Sequence, residues 1–163
     1  MAKPKDHYIA RLKAVPLFAS LSKRELDLLL RQADSMRYPP RYRIVREGAN
    51  GEEFWMVIEG ELAVHRGGEE VARLGPGDFF GELAVIDSTP RDATVVSTTP
   101  VELLVIARRR FWATLEESPV LMRKVIIGLA KRLHELEAKD SALRAAAGRT
   151  IDLRTSEATV TSG

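Results

Sequence analysis

The sequence predicts a mainly β fold with flanking helices, and two observations support this prediction. Between residues 38 and 107, short runs rich in Val, Ile, Leu and aromatic residues are separated by Gly and Pro breaks, as in a compact antiparallel barrel or jelly roll. On both sides of this region, apolar residues recur with the period of an α-helix. We therefore expect helices at 1–34, a β-barrel at 35–107, helices at 108–147 and a disordered polar tail at 148–163.

Length and composition are those of a globular protein. The chain has 163 residues, 45% of them apolar, which suffices for one domain with extensions. Its 25 Lys and Arg residues nearly balance its 23 Asp and Glu residues, so charge gives no reason to expect nucleic acid. The absence of cysteine excludes disulfides and thiolate sites. With no signal-peptide pattern and no long apolar run, we expect a soluble, cytoplasmic protein with no membrane partner.

Two helices are predicted before the β region. Ser22 and Glu25 have the spacing of a capping box, which predicts a helix of about three turns beginning at Lys23. A shorter helix is expected over residues 7–15, where Pro16 stops it.

Six strands can be placed from the apolar runs and the turn residues between them. Gly67-Gly68 has the composition of a hairpin turn. The predicted strands are Arg43–Arg46, Glu53–Glu59, Glu61–Arg66, Glu70–Leu74, Thr94–Thr98 and Val101–Ala107.

Two helices are predicted after the β region. The first spans 108–116, and the second begins at Pro119 and continues to about Ala138 or beyond. Two interpretations of the second helix stay open: one broad core face, or a core face plus a seam for a homodimer. The stripe concerned recurs in steps of four and three and consists of Met122, Ile126, Leu129, Leu133 and Leu136.

One loop carries the strongest functional signal. It contains Glu82 and Arg91, nine residues apart, between a glycine and a proline in the runs FFGELAVI and PRDATV. A guanidinium is a planar, permanently charged partner for phosphate, and a carboxylate accepts a hydrogen bond from a sugar hydroxyl. Gly81 allows close approach of the backbone, and residues 81–84 could offer amides by opening a short helical turn. The loop suits a small ligand with one phosphate and one sugar hydroxyl.

The segment FGELAVIDSTPRDATV, at residues 80–95, resembles the phosphate-binding cassette of cyclic-nucleotide-binding domains. Such domains occur in catabolite-activator-type regulators, cAMP-dependent kinase regulatory subunits and cyclic-nucleotide-gated channels. The resemblance implies an eight-stranded antiparallel jelly-roll barrel with helices before it and two helices after it. It also implies a cassette at 78–95 and a ligand that is cAMP or cGMP.

The resemblance also implies roles for individual residues. Glu82 would bind the ribose hydroxyl and Arg91 the exocyclic phosphate oxygens, while Gly81 lets the backbone approach. The remaining candidates are phosphate-binding amides, base-pocket walls and a base cap supplied by the last helix. They are Leu83, Ala84 and Ala93 for the amides, Val64 and Leu74 for the walls, and Arg132, Leu133 and Leu136 for the cap.

Asp92 departs from the pattern of the family. The residue after the arginine is usually Ala, Ser or Thr there, and Thr is associated with a preference for cGMP. A carboxylate beside the phosphate weakens binding unless it points outward, whereas one at the base edge accepts hydrogen bonds from guanine. We therefore list Asp92 among the ligand-binding residues, with cAMP favoured and cGMP possible.

The leading hypothesis is a stand-alone cyclic-nucleotide sensor in which the bound ligand moves the C-terminal helix and so regulates an unknown protein effector. No nucleophile motif or P-loop is present, and the three histidines do not have metal-ligand spacing, so neither an enzyme nor a metal site is expected. The alternatives are a fragment of a catabolite-activator-type DNA-binding regulator and a nucleotide-independent dimerisation module. DNA binding is not expected, because only about 25 residues follow the predicted long helix.

Overall fold

A computed structural model describes residues 5–160 of the backbone and the side chains of residues 6–148. Over this range the chain forms eight strands preceded and followed by helices, which confirms the predicted mainly β fold with flanking helices. The helices are α1 (Lys5–Lys13), α2 (Lys23–Leu30), α3 (Arg108–Glu117) and α4 (Pro119–Val160), with a 3₁₀ turn at Pro16–Phe18. The strands are β1 (Asp34–Tyr38), β2 (Arg43–Val45), β3 (Glu53–Glu59), β4 (Leu62–Arg66), β5 (Glu69–Leu74), β6 (Phe79–Phe80), β7 (Thr94–Ser97) and β8 (Val101–Ala107).

The strands form two four-stranded antiparallel sheets. Sheet I has the order β1-β8-β3-β6, and sheet II has the order β2-β7-β4-β5. In sheet I, Trp55 lies opposite both Val105 and Phe80. In sheet II, Val64 lies opposite Ala72 on one side and Val95 on the other. Consecutive strands therefore pass repeatedly from one sheet to the other.

Sheet I is buried on both faces at β3, and this burial explains why the sequence of β3 is apolar without alternation. Its five central residues, 54–58, are all buried. Phe54, Met56 and Ile58 point towards the helices, whereas Trp55 and Val57 pack against residues of sheet II. A strand with covered faces on both sides needs apolar residues at every position. Strand β3 thus contributes side chains both to the core beneath the helices and to the core between the two sheets.

The predicted capping box is present at the start of α2. The Glu25 amide donates to Ser22 Oγ at 3.2 Å, and the Ser22 amide donates to Glu25 Oε2 at 2.9 Å. The prediction of about three turns was wrong, because α2 has only eight residues, or just over two turns. The helix ends at Leu30 because residues 34–38 pair with β8 instead.

Two strands were missed by the sequence prediction. Strand β1 is exposed along most of its length, and Met36 and Tyr38 are too short an apolar alternation to predict a strand without its pairing with β8. Strand β6 has two residues, and it is held by pairing with Trp55 and Met56 of β3. The rings of Trp55 and Phe80 stack with centroids 6.1 Å apart. These pairings are long-range and leave no local sequence pattern.

Helix α4 is longer than predicted, and its packing separates two adjacent apolar faces. It continues to Val160 through the segment predicted to be disordered, and residues 161–163 lie outside the described part. The run of three alanines before Gly148 favours helix strongly enough to continue it past one glycine. The core face of α4 contains Leu121 and Val125, whereas most of the predicted stripe is exposed: Ile126, Leu133 and Leu136 are 59%, 55% and 41% exposed. Among the described helices, none combines the length and apolarity needed to cross a bilayer.

Gly128 brings α4 against the 3₁₀ turn at the closest point of approach. A Cβ at this position would collide with the backbone carbonyl of Leu17, whereas one at Gly148 would meet no atom within 4 Å. Because the two glycines lie in the same helix, a comparison of alanine substitutions at both positions separates the steric effect from the effect of helix propensity.

We predict that Gly128→Ala lowers the free energy of unfolding, measured by denaturant titration. The overlap with the Leu17 backbone costs roughly 1–3 kcal/mol, while the gain in helix propensity returns at most about 1 kcal/mol. The matched variant Gly148→Ala should leave stability unchanged or raise it. A Gly128→Ala protein at least as stable as the wild type would contradict the packing described here.

Candidate ligand-binding site

A cavity of about 570 Å³ lies between sheet II and the loop that connects β6 to β7. Its volume is within the range of small-molecule sites. The sheet contributes an apolar wall together with Arg66 at the end of β4, and the loop contributes Glu82, Arg91 and Asp92. The lining residues are Val45, Val64, Arg66, Ala72, Leu74, Phe79, Phe80, Gly81, Glu82, Leu83, Ala84, Thr89, Pro90, Arg91, Asp92, Ala93 and Val95.

The Arg91 side chain is the most constrained charged group of the cavity, with 9% of it exposed. Its Nη2 donates to the Glu53 carbonyl oxygen at 2.8 Å and to Glu53 Oε2 at 3.4 Å. Its backbone is fixed as well, because its amide donates to Ala49 O and its carbonyl accepts from the Gly48 amide, both at 2.8 Å. The β2–β3 loop therefore holds the main chain of Arg91, and the first residue of β3 holds its side chain.

Two glycines leave room for the guanidinium. A Cβ at Gly51 or Gly81 would collide with the Arg91 side chain, and one at Gly81 would also strike the Glu53 carbonyl oxygen. Gly81 also has φ of +77°, a conformation that favours glycine. The two positions thus require glycine because Arg91 occupies the space that a side chain would need.

The charge of Arg91 is only partly compensated. Among the described residues, its Nε is buried without a hydrogen-bond partner, and the side chain of its ionic partner Glu53 is 41% exposed. Burial lowers the pKa of the Arg91 guanidinium, and the charge of Glu53 opposes this shift. A buried cation with incomplete compensation favours an anion in the adjacent cavity.

Glu82 is also buried, at 7% exposure. Its Oε1 lies 3.2 Å from Nε of Arg132 on α4. The contact is an ion pair without hydrogen-bond alignment, since both Glu82 Oε2 and Arg132 Nε lack a hydrogen-bond partner. Burial raises the pKa of the Glu82 carboxyl, and the charge of Arg132 opposes this only in part. The carboxylate that lines the cavity is therefore connected to the C-terminal helix.

The segment after Gly81 forms hydrogen-bonded turns over residues 82–86, where a short helical turn was predicted. The Ala84 amide donates to the Gly81 carbonyl at 3.1 Å, so this predicted phosphate donor is engaged within the turn. The amides of Leu83 and Ala93 make no hydrogen bond to the described residues. Val85 is fully buried in the core formed with the helices. The turn is thus anchored in the helical core while two of the three predicted amides stay available.

Asp92 lies at the rim of the cavity, with 86% of its side chain exposed to solvent. Its Oδ2 accepts from Arg66 Nη2 at 3.1 Å, and its carbonyl accepts from Arg66 Nε at 3.2 Å. Arg66 lies at the end of β4 and lines the same cavity. Asp92 therefore takes the outward orientation, which is the one compatible with an anion at Arg91.

The structure brings most of the predicted site residues together. Val64, Leu74 and the cassette residues line one cavity, whereas the three candidates for a base cap do not line it. Arg132 contacts Glu82 instead, and Leu133 and Leu136 are exposed on α4. In the described part of the chain, no group of three acidic, His or Cys side chains is placed to hold a metal ion.

A cavity with a buried guanidinium, free amides, a buried carboxylate and an apolar wall defines a binding site for a small anionic ligand. Residues 35–118 match the cyclic nucleotide-binding domain family. The chain belongs to this family, which confirms the resemblance stated from the cassette.

The similar proteins are regulators. The chain is 33% identical over 131 residues to the cyclic AMP receptor protein of Thermus thermophilus, covering 77% of this chain and 61% of that protein. It is 36% identical over 119 residues to the cAMP-dependent protein kinase regulatory subunit of Aspergillus fumigatus, covering 72% of this chain and 29% of that protein. By name, these relatives are a receptor protein and a regulatory subunit, which agrees with the expectation of a regulatory domain. The chain spans less than two thirds of the length of either.

Solved structures show the same fold. The N-terminal domain of a transcriptional regulator from Streptomyces coelicolor superposes with a TM-score of 0.71 at 28% identity, covering 77% of this chain and 93% of that chain. The catabolite activator protein of Thermus thermophilus gives a TM-score of 0.63 at 32% identity, covering 79% and 63% of the two chains.

Three contacts of the site were missed by the sequence prediction. Glu53 holds the Arg91 guanidinium, Gly51 provides space for it, and Arg66 binds Asp92. Glu53 and Arg66 lie at the ends of predicted strands, where charged residues are common, so only their pairing across the fold gives them a role. The positively charged partner of Asp92 could have been sought on a strand that faces the cassette, but the sequence offered several.

We predict that Glu82→Gln raises the melting temperature of the ligand-free protein at pH 7. A raised pKa means that the folded protein binds the Glu82 proton more tightly than the unfolded chain does. Stability is therefore lost as the pH rises from the unfolded pKa towards the higher folded pKa, and it stays lower above that. Removing the buried charge should return roughly 1 kcal/mol at pH 7.

The comparison of Glu82→Gln with the wild type has two controls, a measurement at low pH and the variant Glu135→Gln. Below about pH 4, where the carboxyl is protonated in both states, the two melting temperatures should converge. Glu135 also lies near Arg132, at 3.6 Å, but its side chain is 61% exposed, so Glu135→Gln should have little effect at either pH. A Glu82→Gln protein that melts below the wild type at pH 7 would show that the ion pair with Arg132 outweighs the burial.

Proposed function

We propose that this domain is a cyclic-mononucleotide sensor that favours cAMP. The observation that carries the proposal is the buried, incompletely compensated Arg91 guanidinium beside a 570 Å³ cavity with an apolar wall. An anionic group with one phosphate would complete the compensation of that charge, and a flat base would fit against apolar side chains.

Each part of the ligand has a matching group. Arg91 would hold the phosphate together with the amides of Leu83 and Ala93, which have no other acceptor among the described residues. Glu82 would accept the ribose hydroxyl, since its Oε2 has no partner. Val64 and Leu74 would pack on the base. The two sheets would then form the predicted jelly-roll barrel around it, which their strand orders, 1-8-3-6 and 2-7-4-5, support.

The preference for cAMP rests on the orientation of Asp92 and on the relatives. Asp92 is held outward by Arg66, so its carboxylate is not presented to the hydrogen-bond donors of guanine. Both the Thermus receptor protein and the kinase regulatory subunits carry cAMP in their names. Binding of cGMP with lower affinity is compatible with this site.

Two contacts would couple the ligand to α4. Glu82 meets Arg132 of α4 from the cavity side, and Val85 of the same turn is buried among the helices. A hydroxyl that hydrogen-bonds Glu82 would compete with or reorient the Arg132 contact. A ligand shifts the equilibrium between two positions of α4 only if it binds one of them more tightly. The Glu82–Arg132 contact would be the source of that difference in affinity.

The exposed part of α4 is proposed as the output surface. Ile126, Leu133 and Leu136 share one side of the helix and are exposed, and Leu143 extends the pattern by another seven residues. Such spacing is that of a two-helix seam, which supports a homodimer through α4 or a helical segment of a protein effector. We do not expect DNA to bind the described domain, because its charges are nearly balanced.

We predict that isothermal titration calorimetry detects cAMP binding and that Arg91→Ala weakens it by roughly 2–5 kcal/mol, the range for removing one partner of a buried charge pair. The matched control is Arg110→Ala, since Arg110 pairs with Asp34 on the surface and does not line the cavity. Arg110→Ala should bind as the wild type does. Absence of binding heat with millimolar cAMP and cGMP would refute the sensor.

We predict that replacing Glu82 removes the preference of the site for a ligand that carries the ribose 2′-hydroxyl. The wild type should bind cAMP about 10- to 100-fold more tightly than 2′-deoxy-cAMP, because a hydrogen bond to a charged acceptor contributes roughly 1.5–3 kcal/mol. In Glu82→Ala the two affinities should become nearly equal. If that variant kept the full preference for cAMP, the hydroxyl would have to be bound elsewhere.

A further inference from the structure

Arg66 and Asp92 form a cross-loop pair at the edge of the nucleotide cavity. Arg66 comes from the end of β4, and Asp92 directly follows Arg91. Two contacts join them: Arg66 Nη2 lies 3.1 Å from Asp92 Oδ2, and Arg66 Nε lies 3.2 Å from the Asp92 carbonyl oxygen. The second contact fixes the main chain as well as the carboxylate, so the orientation of the whole residue depends on Arg66.

The pair is poorly suited to stabilising the fold. The side chains of Arg66 and Asp92 are 57% and 86% exposed, and exposed ion pairs contribute little to stability. The position of the pair points instead to a role in ligand binding, because both residues line the cavity. The negative charge of Asp92 also acts on the Arg91 guanidinium, where it opposes the effect of burial on the pKa. Without Arg66, the uncompensated negative charge of Asp92 would therefore lie close to the Arg91 guanidinium, which is proposed to bind the phosphate.

We propose that Arg66 is a positioning residue of the site: it holds Asp92 outward and neutralises its carboxylate, so that the negative charge neither competes for Arg91 nor repels the phosphate. This inference rests on the proposed binding of a cyclic mononucleotide. It explains how a carboxylate is tolerated directly after the phosphate-binding arginine.

The test is a double-mutant cycle in the full chain, with the affinity for cAMP measured by calorimetry. Arg66→Gln should weaken binding about tenfold, as expected for an unneutralised charge a few ångströms from the phosphate at an intermediate dielectric. Asp92→Asn should bind as tightly as the wild type or tighter. In the double variant, Arg66→Gln with Asp92→Asn, the affinity should return to within about threefold of the wild type, because no carboxylate is left to neutralise.

Two further readouts separate an electrostatic role from a structural one. The loss in Arg66→Gln should shrink when the salt concentration is raised, since exposed charges are screened, while its melting temperature stays near that of the wild type. Arg73→Gln is the matched control, because Arg73 is an exposed arginine of the neighbouring strand that pairs with Glu61 and Glu70 and does not line the cavity. It should bind cAMP as the wild type does.

Three outcomes would overturn the inference. One is an unchanged affinity in Arg66→Gln. The second is an equal loss in the double variant, which would mean that Arg66 contacts the ligand itself. The third is weaker binding in Asp92→Asn. In each of these the wild type still binds cAMP and the proposed function stands, whereas a wild type that binds neither cAMP nor cGMP refutes both.

Discussion

Burying a guanidinium beside a cavity costs free energy, and much of the chain around Arg91 is arranged to offset that cost. Backbone hydrogen bonds from the β2–β3 loop fix its main chain, and Glu53 supplies a carbonyl and a half-exposed carboxylate to its side chain. Gly51 and Gly81 leave the space it occupies. Because the compensation is incomplete, the group retains attraction for an anion. The requirement to hold this one cation explains both glycines, the loop pairing and the position of Glu53.

The second feature that organises the molecule is strand β3, which is buried on both faces. Strand β3 contributes alternate side chains to the helical core and to the core between the sheets. Its first residue, Glu53, also holds Arg91. The turn after Gly81 is fastened to the same helical core through Val85, while Glu82 reaches Arg132 of α4. Since these contacts share one packed core, a displacement of the turn cannot leave the helices unaffected. The site and the proposed output helix are thus mechanically connected.

Local sequence signals predicted those parts of the fold that depend on local interactions. The capping box at Ser22 and the start of α4 at Pro119 were correct, because caps and first-turn prolines act within one turn of helix. Strands β1 and β6 were missed, because exposed or two-residue strands exist only through their partners β8 and β3. The sequence left open which apolar face of α4 packs on the core. The core accepts Leu121 and Val125, with Gly128 at the contact with Leu17, and helical periodicity alone could not choose between adjacent apolar faces.

By itself, the sequence determined the family, the cassette and the pairing of a carboxylate with a guanidinium in one loop, because these reside in a contiguous segment whose residue types have definite chemistry. Only the tertiary structure decided where each charge points. It turned Asp92 outward to Arg66, placed Glu82 against Arg132 and engaged the Ala84 amide within the turn. The reason is physical: the partner of a buried or cavity-lining charge is chosen by proximity in the folded chain, and strands distant in sequence supply it. The motif thus identifies the ligand class, while the fold sets the electrostatics that the ligand would meet.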